Sequence, residues 1–106
     1  MDNNYHVYWR NREIGKLNLS QSDMGYVDGN WTSLNITESK LFEALVSTLK
    51  PVDVINNPVK GTRVILRSAH SGKELNALVL LLDNNRLFIK HIFHREAIAW
   101  LIENVY

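Results

Sequence analysis

The chain has 106 residues, with 12 Lys plus Arg against 11 Asp plus Glu, a formal charge of +1 and no cysteine. The length admits one core rather than two, and the lack of cysteine excludes disulfides, a thiol nucleophile and thiolate metal sites. The near-neutral balance is not the electrostatic footprint of a dedicated nucleic-acid binder.

Tyr5 to Arg10 alternates as a strand, with Tyr5, Val7 and Trp9 on one face and His6, Tyr8 and Arg10 on the other. Asn11-Arg12 reads as a tight turn. Glu13 to Leu19 returns as a second strand in which Ile14 breaks the alternation, so Gly15 marks a bulge or a close backbone approach. Ser20 to Asp23 is loop-like. Met24 to Val27 and Asn30 to Leu34 flank Asp28-Gly29, a strong hairpin signal, so the first third is expected to form two hairpins.

A helix follows, with Thr37 as N-cap, a staple between Ile36 and Leu41, and an apolar stripe of Leu41, Phe42, Leu45, Val46 and Leu49. Pro51 is expected to stop it, and Val52 to Ile55 reads as a short edge strand. Thr62 to Ser68 is a strand with Val64 and Leu66 inward, and it turns at Ser71-Gly72. Glu74 to Leu82 is apolar on both faces and so is expected to be covered on both sides. Asp83 to Arg86 turns into a strand from Leu87 to Phe93. Arg95 to Val105 is a helix with Ile98, Leu101, Ile102 and Val105 on one stripe and Trp100 at its margin. The expected class is a single α+β domain over residues 1–106, with a largely antiparallel sheet of six or seven strands and two helices mainly on one face.

No stretch approaches the ~20 apolar residues of a membrane helix, and no secretory signal is visible, so a cytoplasmic protein without membrane contact is the default expectation. Residues 68–73, Ser-Ala-His-Ser-Gly-Lys, fail as a phosphate loop. Arg67 stands in place of the first glycine, Glu74 in place of the Ser or Thr, and a strand follows instead of a helix. Neither a catalytic set nor a cofactor motif emerges, and the chain leans towards a non-enzymatic role. His70, His91 and His94 lack the spacing of a metal set on one helix face, leaving a metal or small-molecule site near them as the third-ranked reading.

Two surfaces carry the functional expectation. Tyr5, Tyr8, Trp9, Met24, Tyr26 and Trp31 crowd the start of the chain. Half of them should be core by alternation, and a second small core under the hairpins competes with a surface. If exposed, Tyr8, Trp9, Tyr26 and Trp31, with Arg10 and Arg12 at the rim, form the candidate protein-binding patch, because Tyr, Trp and Arg supply contact area with a polar tip. The alternative is weak nucleic-acid binding by Arg63, Arg67, Lys73, Arg86 and Lys90, with Tyr8 and Phe88 interleaved. Another protein is the expected partner and nucleic acid ranks below it; edge strands could also pair two copies into a homodimer. The size and style resemble those of bacterial accessory and immunity-type proteins, with no motif that assigns a family.

Overall fold

Three hairpin turns organise the sheet. Arg10-Asn11, Met24-Gly25 and Asn84-Asn85 all have positive φ at both residues, the backbone that a tight two-residue hairpin turn demands. In the computed structural model, described for residues 3–106, they separate β1 (Asn4–Trp9), β2 (Arg12–Asp23) and β3 (Tyr26–Ser33), and later β5 (Glu74–Asp83) and β6 (Arg86–Ile92). β4 (Thr62–Ser68) turns into β5 around Gly72, as expected.

The six strands pair antiparallel throughout and close into a barrel in the order β1-β2-β3-β6-β5-β4. Two three-stranded meanders are joined at two seams, β1 with β4 and β3 with β6. Every described strand therefore has two neighbours. The edge pairing expected to link two copies has no edge to use.

Asp28-Gly29 is not a turn. It lies inside β3, and Ser20 to Asp23, expected as loop, continues β2. Gly29 is required by proximity. A Cβ there would collide with the Asn18 carbonyl oxygen and come within 2.9 Å of the Leu19 Cα, where β2 bulges between Leu19 and Gln21. Gly25, at φ +87°, supplies the turn instead. The bulge expected near Gly15 is present. Val7 pairs with Gly15 and Tyr8 with Glu13, which leaves Ile14 unopposed. The Ile14 carbonyl accepts hydrogen bonds from the Leu34 backbone N–H at 3.0 Å and the Ser39 hydroxyl at 2.6 Å.

Ser39 belongs to α1 (Thr37–Val46), so the bulge is also the helix's anchor on the barrel. Ile36 occupies the N-cap position and Thr37 the first helical one; the expected Thr37 cap bond is not made. The preceding chain is set instead by Asn35, at φ +58°, whose N–H donates to the Ser33 hydroxyl. Phe42 and Val46 bury completely, whereas Leu41 and Leu45 stay exposed, so the helix sinks a narrower stripe than its pattern suggested. Phe42 seals one barrel end between Trp9 and Trp31, with ring centroids 5.5 and 5.4 Å away. Val7, Ile14, Leu17, Val64, Leu66, Ala77, Val79, Leu87 and Ile89 fill the interior.

Pro51 opens a second helix, α2 (Pro51–Asn56), followed by a 3-10 turn at Pro58–Lys60. The edge strand expected at Val52 to Ile55 is therefore helical. A proline at the first helical position has no N–H to waste, so Pro51 opens α2 rather than stopping α1, which already ends at Val46. α2 and α3 (Arg95–Asn104) cover the outer wall. Val54, Leu101 and Val105 bury against Leu78 and Leu80 of β5, with Phe88 and Ile92 of β6 beside them. β5 is thus enclosed on both faces, as its sequence implied. The helices number three rather than two; two lie on the wall and one plugs an end. No helix among the described residues is long and apolar enough to cross a membrane.

Candidate functional site

Pairing of β1 with β4 brings Tyr8 opposite Ile65, and so sets the outward side chains of the two strands side by side. These side chains and the end of the chain after α3 frame a groove of about 540 Å³. Tyr8, Arg10, Arg63, Arg67, Glu74 and Tyr106 supply its polar lining.

The three guanidiniums are held differently. Arg10 sits in the β1–β2 turn and stacks on the Trp9 ring at 4.2 Å and the Tyr106 ring at 4.7 Å. Arg63 donates through Nε to the Val105 carbonyl at 2.9 Å, which ties the end of α3 to β4 while the residue lines the groove. Arg67 lies over the Tyr8 ring at 5.1 Å and bonds Glu74 at 2.7 Å. The hydrogen bond to Glu74 raises the pKa of Arg67 further, and Tyr8 and the Glu74 charge add to it. Neither Arg10 nor Arg63 has a carboxylate partner among the described residues, so the groove carries an excess of positive charge despite the near-neutral chain.

The structure splits both expected sites and recombines them. Of the aromatic patch, Trp9 and Trp31 are core residues, 3% and 5% exposed. Both lie on the inward faces of their strands, Trp9 on β1 and Trp31 on β3, and their indole N–H groups donate to Thr62 and Glu43. Tyr26 is exposed on β3, on a different wall, beneath Lys90 at 5.3 Å. Arg12 turns to Glu38 of α1 at 3.5 Å. Only Tyr8 and Arg10 of that set reach the groove.

Of the basic set, Arg63 and Arg67 reach it. Arg86 bonds Asp28 at 2.6 Å and Asn30 at 3.1 Å on the β3/β6 wall. Lys90 shares that wall, and Lys73 is exposed in the β4–β5 loop. β5, with α2 and α3 on its outer face, stands between the two walls and breaks the expected basic stripe. Phe88 packs against that covered cluster instead of interleaving with arginine.

Sequence reasoning missed Tyr106, which becomes a site residue only because α3 delivers it beside Arg10. It also missed the cleft between α2 and α3. There Ile55, Pro58, Ala97 and Trp100 line about 320 Å³, and Trp100 is 45% exposed. The histidines do not converge: no group of three His, Asp or Glu among the described residues could hold a metal. His91 lies on β6, whereas His94 is the exposed residue before α3.

Fold and site together describe a closed six-stranded antiparallel barrel with a helical plug and an arginine-rich groove on its outer wall. No known protein family, curated protein or solved structure matches this chain.

Proposed function

We propose that this chain is a non-enzymatic binding domain whose groove takes an acidic segment of another protein. The carrying observation is the convergence of Arg10, Arg63 and Arg67 on one groove, where Glu74 is the one acidic side chain among the described lining residues. A guanidinium stays charged at any physiological pH, so these arginines recognise anions and move no protons themselves. Its planar fork matches a carboxylate bidentately.

The stacking favours protein over nucleic acid as partner. Single-stranded nucleic acid is held by bases on open aromatic faces. Here a guanidinium already lies over Tyr8, and another over Tyr106. The same reading places the domain in the cytoplasm, as a bacterial accessory or immunity-type protein; a fold without disulfides loses nothing in a reducing compartment.

Fluorescence anisotropy with a labelled octaglutamate peptide and a labelled octathymidylate tests the proposal. The peptide is expected to bind at low salt and to weaken steeply as salt rises. Arg63→Glu and Arg10→Glu should each weaken it at least about tenfold, and Arg86→Glu less than about twofold. Tighter binding of the oligonucleotide moves the groove to nucleic acid. Absence of peptide binding, or equal losses for Arg63→Glu and Arg86→Glu, overturns the proposal.

A further inference from the structure

Among the described residues, no helix covers the barrel end opposite α1. The inward-facing rows of the strands run out there into a cup. Leu66 and Ile89, both buried, make the floor, and Leu19, Val27 and Leu75, all partly exposed, make the wall. The space is about 250 Å³. An apolar cavity of about 150 Å³ takes up benzene, so this cup has room for one substituted ring.

Among the described residues the rim is polar and uncharged: Asn3, Ser20, Ser22 and His91. His91 follows Leu87 and Ile89 on the inward row of β6. Its backbone N–H bonds the Gly25 carbonyl at 2.7 Å, and its ring lies 4.0 Å from that of Phe93. The imidazole nitrogens make no hydrogen bond among the described residues. Burial, then the charge of Lys73, lowers the His91 pKa, so at neutral pH the ring offers one donor and one acceptor. An apolar cup with a few placed polar groups in the mouth of a barrel is the ordinary form of a small-molecule site.

We infer that this mouth binds a small neutral molecule, a single ring or short aliphatic body carrying one hydroxyl or carbonyl group, with the body in the cup and the polar group on His91. No described lining residue carries a charge to answer an ionic ligand, Lys73 acting on His91 only from outside the lining, and a wholly apolar ligand gives the imidazole no partner. This site is independent of the arginine groove.

Amide and methyl NMR shifts of the full chain, titrated with 4-methylphenol and with toluene, test the inference. Saturable shifts of Leu19, Val27, Leu75 and His91 are expected, with 4-methylphenol the tighter ligand. His91→Phe should weaken 4-methylphenol about fivefold, the worth of one neutral hydrogen bond, and leave toluene unchanged. Leu75→Trp should fill the cup and abolish both; if it does not fold, Ser22→Trp at the exposed rim serves the same purpose. Shifts that never saturate, shifts scattered over the surface, or binding unaltered in a folded filled variant overturn the site. Equal losses of both ligands in His91→Phe overturn the ligand class.

Discussion

The two ends of the barrel are built from the same alternating strands and come to opposite results. At one end Trp9, Trp31 and Phe42 pack ring against ring and exclude water. At the other, Leu19, Val27 and Leu75 keep part of their surface in solvent. Strand pattern does not distinguish them; the connections do. The link from β3 to β4 is long enough to fold α1 over the end that it leaves and re-enters. At the opposite end the described connections are the Met24-Gly25 turn, the loop around Gly72 and the two residues leading from β6 to α3, all too short to fold a helix over it.

This contrast makes graded predictions. Phe42→Ala should destabilise the fold by about 3–5 kcal/mol, because the ring is wholly buried and its neighbours cannot collapse into its place. Leu75→Ala, at the open end, should cost about 1–2 kcal/mol, since part of its side chain already meets water. Urea unfolding of both variants checks the pair, and equal costs would erase the distinction between the ends. Ser39→Ala should cost about 1 kcal/mol by the same measurement; it frees α1 from the Ile14 carbonyl, which keeps its bond from Leu34.

His91→Phe should change stability at pH 7 by less than about 0.5 kcal/mol. The pH dependence has a definite sign. The folded-state pKa lies below the ordinary value of 6.5, so the unfolded chain binds the proton more readily. His91 therefore costs nothing at neutral pH and begins to destabilise the fold as pH falls through 6.5. NMR titration of its imidazole should give a midpoint below 6.5, and the Phe variant should lose this part of the acid sensitivity. A midpoint at or above 6.5 would show the mouth to be as wet as bulk solvent.

Much of this architecture was readable from residues alone, because alternation and turn chemistry are local. Asn84-Asn85, the Gly72 turn, the doubly apolar β5 and the bulge at Ile14 all follow from neighbours in sequence. The misreadings share one cause. Asp28-Gly29 carries a turn's signature, yet Gly29 answers to the Asn18 carbonyl on the next strand and Asp28 to Arg86. Trp9 and Trp31 were assignable to a face, but which face meets the core depends on closure. The groove fell half into each expected surface, Tyr8 and Arg10 in one, Arg63 and Arg67 in the other. What unites them is the pairing of β1 with β4, a long-range fact that no local pattern contains.

That same seam bears on how the chain reaches its fold. It pairs Tyr5 with Ser68 and Tyr8 with Ile65, across the whole of α1 and α2. Before it forms, each meander presents unpaired strand edges to solvent, and such edges invite other chains. The entropic cost of bringing the two halves together is met early and rewarded only when both seams zip. Pairings so distant in sequence are expected to slow folding for a chain of this length, which stopped-flow refolding would check. Closure of the two seams is thus also what removes the strand edges on which another chain could pair.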